Sequence, residues 1–266
     1  MKRVYEALVN GIREYLQNNG FSKALVGLSG GIDSALVAVL ATDALGKENM
    51  HGVLMPSCYS SEHSVEDAKQ LAVNLGIRYD IISISDCFES LKRTLKPVFE
   101  GVSEDLTEEN MQARIRGIIL MSISNKFGGM LLATGNKSEA SVGYCTLYGD
   151  TCGGLEVICD LYKTEVYKLS YWINEYKGFP VIPVNTLTKA PSAELRPGQT
   201  DQDSLPPYSE LDQILVLHNE EGKTEEEIVA AGHDRSTVQR VLQLVKRSAY
   251  KRLQMPPGLK VRKYLV

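Results

Sequence analysis

Two hydroxyls, three glycines and one carboxylate fall within the run Gly27-Leu28-Ser29-Gly30-Gly31-Ile32-Asp33-Ser34. The apolar Ala24-Leu25-Val26 before it reads as a buried strand, and Ala35 to Ala41 after it reads as the start of a buried helix. A strand, a tight glycine turn and a helix N-terminus make an anion cradle. Glycine lets the backbone come close to a ligand, and the free N–H groups of the first helical turn point at it. Ser29 and Ser34 add donors. Asp33 would repel a phosphate unless a cation bridged them, so the acid predicts magnesium. No Gly-Lys-Ser/Thr closes the run, which separates it from the usual P-loop.

A second group of chemical side chains lies in Thr134-Gly135-Asn136-Lys137-Ser138-Glu139, where a hydroxyl, amide, amine and carboxylate share one loop and one helical turn. Glu139 either completes a magnesium site with Asp33 or caps a helix beginning near Asn136. Two acids suffice, because magnesium keeps several waters and takes phosphate oxygens as well.

The elements that must position these groups alternate. Apolar spacing predicts helices over 4–19, 61–75, 86–100 and 108–127, and strands at 24–26, 51–55, 79–84 and 130–134. Strands separated by helices imply right-handed crossovers, hence an α/β fold: a doubly wound parallel sheet with helices on both faces, here followed by C-terminal helices over 208–249. The loops after residues 27, 55 and 134 then converge on the carboxyl rim of the sheet, where such folds bind ligands. Segment 183–207 is rich in proline and shows little periodicity, so it reads as a mobile lid over a polar ligand.

With 266 residues and 43% hydrophobic content, one domain spanning 1–266 is expected. A net charge of −4 argues against nucleic acid as a partner. No apolar run approaches the ~20 residues that cross a bilayer, and Glu6, Asn10 and Arg13 break up any signal core. The expectation is a cytoplasmic protein with no membrane association. Five cysteines at 58, 87, 145, 152 and 159 form no Cys-x-x-Cys pair, so neither a disulfide framework nor zinc is indicated.

The Ser-Gly-Gly-x-Asp-Ser pattern at 29–34 resembles the pyrophosphate loop of the ATP pyrophosphatases, which activate a carboxylate or carbonyl oxygen as an adenylate. Together with Glu109 to Arg116, Thr134 to Glu139, Gly143 to Asp150 and Ala193 to Asp201, it resembles the NAD+ synthetase family over nearly the whole chain. The resemblance implies a homodimer that converts deamido-NAD+ (nicotinic acid adenine dinucleotide), ATP and ammonia to NAD+, AMP and pyrophosphate. It places Gly27, Leu28, Ser29, Gly30, Gly31, Ile32, Asp33 and Ser34 on the ATP phosphates, with Thr134, Lys163 and Ser192 also on ATP. Lys163 would counter phosphate charge. Asn110, Arg114, Glu139, Tyr144, Cys145, Thr146, Leu147 and Lys251 match deamido-NAD+ contacts, and Asp33 and Glu139 match the Mg2+ ligands. No catalytic nucleophile is implied, in keeping with the lack of a Ser/His or Cys/His arrangement.

Motif wording at 146–150 and 195–199 is similar to the synthetase half of the long, glutamine-dependent form, yet no nitrilase-like glutaminase domain is expected in 1–266. Leu147 stands where several free-standing enzymes have lysine. The nitrogen would come from free ammonia or from a separate glutaminase chain. Two other readings remain open: a different ATP pyrophosphatase, such as a GMP synthetase-like or tRNA-thiolating enzyme, and a non-catalytic ATP or NAD+ sensor. The retained pair of acids favours catalysis over sensing.

Overall fold

The computed structural model describes residues 1–265. Five parallel strands form the sheet: β1 (Ala24–Gly27), β2 (Met50–Leu54), β3 (Arg78–Ile81), β4 (Met130–Ala133) and β5 (Leu155–Glu156). Their order is β3-β2-β1-β4-β5, so the chain winds outward from β1 in one direction and then, from β4, in the other. Such a reversal leaves a crevice at the carboxyl ends of the two central strands. Here those strands are β1 and β4.

The first half of the chain supplies α1 (Lys2–Asn18), α2 (Ile32–Leu45), α3 (Glu62–Leu75), α4 (Ser85–Leu95) and α5 (Leu106–Phe127). Beyond β4 come α6 (Lys137–Val142), α7 (Lys163–Lys177), α8 (Val184–Thr188), α9 (Tyr208–Asn219), α10 (Glu225–Ala230), α11 (Arg235–Arg247) and α12 (Ala249–Arg252). Strand residues alternate between two cores, as the pleat requires. Ala24, Val26, Met50, Leu54, Met130 and Leu132 face the core built with α1, α2, α3 and α7. Leu25, Val53 and Leu131 face a second core with Phe88 of α4 and with Met111, Ile115 and Leu120 of α5. Helix α2 lies inside the first core, buried along most of its length. A third core joins Tyr162 to Leu211, Ile214 and Leu215 of α9 and Val238 and Val241 of α11. No helix among the described residues is long and apolar enough to cross a membrane.

The doubly wound sheet with C-terminal helices agrees with the pattern read from the sequence, and four of its strands fall within a few residues of their expected positions. The structure adds β5, two residues long and preceded by Gly153 and Gly154, which carries too few residues to show alternation. It also adds α7, whose apolar face packs Val166, Leu169 and Ile173 inward. The helix expected over 86–100 ends earlier, at Leu95. Segment 183–207 is not structureless: it holds α8 and a short 3-10 turn at Asp201–Asp203.

Candidate active site

The glycine turn after β1 is shaped by its own side chains. Gly30 has φ +81°, a left-handed conformation that a Cβ would strain. A Cβ there would also lie 2.2 Å from the Ser64 carbonyl oxygen, so the turn is pressed against the first turn of α3. Ser34 Oγ donates to the Gly31 carbonyl (3.1 Å), and Gly31 N donates to Ser29 Oγ (3.2 Å). The Ser29 and Ser34 hydroxyls are themselves 3.1 Å apart. No side chain caps α2, whose N-cap is Gly31. The N–H groups of its first turn, with their share of the helix dipole, therefore face the rim at the β1–β4 crevice. The strand, glycine turn and helix start expected from the sequence are thus present.

Asp33 stands in this first turn and meets the second constellation. Asn136 caps α6 by accepting from Glu139 N (3.0 Å), and its amide Nδ2 donates to Asp33 Oδ1 (2.9 Å). The cap of α6 is thus Asn136 rather than Glu139, whose carboxyl is turned toward Lys163. Lys163, the first residue of α7, lies between the acids: its Nζ is 2.5 Å from Asp33 Oδ2 and 3.0 Å from Glu139 Oε1. The lysine side chain is only 4% exposed. Burial opposes its charge, but Asp33 and then Glu139 outweigh this and hold its pKa above the usual lysine value. Burial pushes the Glu139 carboxyl well above the carboxylate range, against the pull of Lys163.

These carboxylates already converge on one cation, and magnesium needs only one or two carboxylates beside phosphate oxygens and water. Asp33 and Glu139 thus fit as the residues that would hold a magnesium ion.

Other elements hold the cluster in place. Asp212 of α9 accepts from Ser138 Oγ (2.5 Å) and from Thr164 N (2.8 Å), and Ser138 Oγ accepts from Lys163 N (2.8 Å). The starts of α6 and α7, which carry Glu139 and Lys163, are thereby tied to one buried carboxylate. Asp201 accepts from Tyr208 OH (2.8 Å), and the Tyr208 ring centroid lies 5.2 Å from Lys163 Nζ. Apart from the Asp201–Tyr208 bond, seven residues apart, these contacts have no local sequence signal, because the partners are far apart in the chain.

The residues matched to deamido-NAD+ form a second, adjoining group. Thr146 Oγ1 donates to Asn110 Oδ1 (2.8 Å), and Arg114 Nε donates to the Leu147 carbonyl (3.3 Å). Lys251 Nζ donates to the carbonyls of Gly143 (2.8 Å) and Cys145 (2.6 Å). Tyr144 N donates to the Glu139 carbonyl (2.9 Å), which links this group to the acidic cluster. Tyr144 also lines a cavity of about 370 Å³ with Glu109, Gln112, Leu195 and Arg196. Its buried hydroxyl and the Gln112 side-chain oxygen make no hydrogen bond among the described residues. Thr134 lies just beyond β4 on the same rim. Ser192 is engaged within its own segment, donating to the Gln199 carbonyl (2.6 Å) and accepting from Glu194 N (3.1 Å). Lys163 lies against the two carboxylates of this chain.

Sequence reasoning missed Glu156, at the end of β5. It is 3% exposed, and its Oε1 would lie 2.4 Å from a Cβ on Gly135, so it faces the Thr134–Glu139 loop. Burial, then the nearby Asp150 charge, pushes its pKa up to about 7, with Lys260 opposing. A carboxyl raised in the native state keeps a proton that the unfolded chain has lost, so stability falls as pH rises from the ordinary glutamate range to about 7. Glu156→Gln is expected to be more stable than the parent above that pH, by up to about 3 kcal/mol. The gain should vanish below about pH 4. Urea melts across this range test it, and a gain independent of pH would contradict the assignment.

The NAD synthase family model matches residues 4–256. The chain is 56% identical over 260 residues to the glutamine-dependent NAD(+) synthetase of Thermotoga maritima, an alignment covering 98% of this chain and 45% of that protein. It thus spans about half the length of the curated relatives it matches. Among solved structures, the glutamine-dependent NAD+ synthetase of Acinetobacter baumannii in complex with ADP is similar with a TM-score of 0.70 and 44% identity, covering 97% of this chain and 46% of that one. The NH3-dependent NAD synthetase of Campylobacter jejuni, in complex with the nitrate ion, gives 0.74 and 27% identity, covering 96% of each. The family model and the relatives agree along nearly the whole length, glycine turn and paired acids included: the chain belongs to the NAD synthase family.

Proposed function

We propose that this chain amidates deamido-NAD+ to NAD+, using ATP, Mg2+ and ammonia and releasing AMP and pyrophosphate. The observation that carries this reading is the meeting of Asp33, Glu139 and Lys163 at the uncapped N-terminus of α2. The nicotinate carboxylate oxygen attacks the α-phosphorus of ATP, the bond to the β-phosphate oxygen breaks, and pyrophosphate leaves. Ammonia then attacks the activated carbonyl carbon, loses a proton, and displaces AMP. The α2 N–H groups, Ser29 and Ser34 hold the leaving pyrophosphate, and Lys163 limits the repulsion between the acids and the phosphates. Asn110, Arg114, Tyr144, Cys145, Thr146, Leu147 and Lys251 bind and orient the dinucleotide, while Thr134 and Ser192 contribute to ATP. The orientation of carboxylate and ATP supplies proximity, so no side-chain nucleophile is required. Asp33 and Glu139 would hold magnesium, which would supply charge neutralisation to the phosphates.

Segment 183–207 serves as the lid. The active form is a homodimer working in the cytoplasm on free ammonia, or on ammonia from a separate glutaminase chain. The first test offers the purified chain deamido-NAD+, ATP and Mg2+ with either ammonium or glutamine. NAD+ and AMP are expected from ammonium and not from glutamine. A folded, ATP-binding chain that forms neither product would overturn the reading in favour of a sensor.

A further inference from the structure

Residues 185–194 grip the first turn of α3 and the phosphate-binding turn at the same time. Glu194 has φ +50°, an uncommon conformation for a residue with a side chain, and it is held there by three donors from α3. Its Oε1 accepts from Ser61 Oγ (2.7 Å) and Ser64 Oγ (2.8 Å), and its Oε2 accepts from Ser61 N (3.1 Å). Lys189 Nζ donates to Ser64 Oγ (2.9 Å) and reaches Asp67 (3.1 Å), which also accepts from Asn185 (2.7 Å). Ser64 is the shared point. Its hydroxyl binds Glu194 and Lys189, while its carbonyl is what Gly30 is packed against. From the other side Thr186 Oγ1 donates to the Gly30 carbonyl (3.2 Å).

We propose that Glu194 is a positioning residue for ATP: it latches the 189–203 segment to the start of α3 and, through Ser64, fixes the Gly30 turn that holds the phosphates. The proposal rests on the reading of residues 27–34 as the ATP phosphate cradle. Two features make the effect specific to ATP. The Gly30 carbonyl accepts from Thr186 and its Cα rests on the Ser64 carbonyl, so this peptide is held from α3 and α8 as well as by Ser29, which accepts from Gly31 N. Asn110, Arg114 and Lys251 hydrogen-bond to Thr146, Leu147, Gly143 and Cys145 and not to Ser61, Ser64 or Glu194, although Leu195, next to Glu194, accepts from Gln112 of α5 (2.8 Å). A carboxylate receiving three hydrogen bonds is also a stronger tie than a neutral group in its place, because charge-assisted bonds are the stronger kind.

Glu194→Gln is expected to raise KM for ATP by about 10-fold or more, with kcat and KM for deamido-NAD+ changed by less than about 2-fold. Amides of 189–203 should exchange hydrogen faster in the absence of substrate. Glu194→Asp should recover part of the ATP affinity. Ser64→Ala, which changes the other side of the latch, should show the same pattern, and the double variant should add little to either single one. An unchanged KM for ATP overturns the proposal. So does a variant whose kcat and both KM values shift together with a lower Tm and no local change in exchange, since that is plain destabilisation. Should the parent chain form no NAD+, the amidation reading fails separately. The latch is then decided by the affinity for Mg-ATP and by exchange in 189–203, each compared between parent and Glu194→Gln.

Discussion

Asp33→Asn is expected to abolish AMP release, lowering kcat/KM for ATP by about 10³-fold, while the chain stays folded. The substitution keeps the size of the side chain and one oxygen for the Asn136 amide, but it removes the charge that faces Lys163 and the phosphate cradle. Asp33 sits in the first turn of α2, at the mouth of the crevice, so its carboxylate is the acid nearest the N–H groups of the cradle. With it neutralised, Lys163 keeps Glu139 as a partner, and the stability loss should stay near the cost of one charge-assisted hydrogen bond, about 1.5–3 kcal/mol. Chromatography of AMP and a thermal melt measure the two effects side by side. AMP formed at the parent rate would show that Asp33 is a structural acid.

Lys163→Met should be the most destabilising single change at the site. The ammonium is buried between two carboxylates, and removing one partner of a buried ion pair leaves an uncompensated charge at a cost of about 3–5 kcal/mol. Methionine fills much of the lysine stem, so most of the loss is electrostatic rather than a cavity effect. Two consequences separate this from misfolding. Adding Glu139→Gln should return part of the stability, because it removes one of the two facing charges, yet it should restore no activity. Magnesium should also raise the Tm of Lys163→Met more than that of the parent, since a cation bound only in the folded state stabilises it. Unfolding in urea with and without magnesium measures both. A loss below about 1 kcal/mol, the range of exposed pairs, would contradict the buried-pair description.

What could be read in the sequence follows from the range over which each signal acts. The run from Ala24 to Ala41 carries strand, turn and helix start in adjacent residues, so the glycine turn and its position at a strand end are legible in the sequence. The same holds for the helix spacings that imply a doubly wound sheet. Lys163 shows the limit: its partners Asp33 and Glu139 are 130 and 24 residues away, and no local pattern reports such a meeting. Asp212 likewise reaches back 74 residues to Ser138. β5 was invisible because two residues cannot alternate, and with it went Glu156, whose buried position depends on that strand. Within 183–207 the prolines signalled irregular backbone correctly, but Thr186, Glu194 and Asp201 are fixed by contacts with the Gly30 turn, α3 and Tyr208 that only the folded chain supplies.

In the proposed reaction, a carboxylate of the substrate attacks the α-phosphorus of ATP in the crevice between β1 and β4. Deamido-NAD+ labelled with heavy oxygen in its nicotinate carboxylate, turned over with ATP, Mg2+ and ammonium, tests it most directly. One labelled oxygen should appear in the phosphate of AMP, with pyrophosphate unlabelled, and Asp33→Asn should give none. Label found in inorganic phosphate alongside ADP, or NAD+ formed with no label in AMP, would contradict the account.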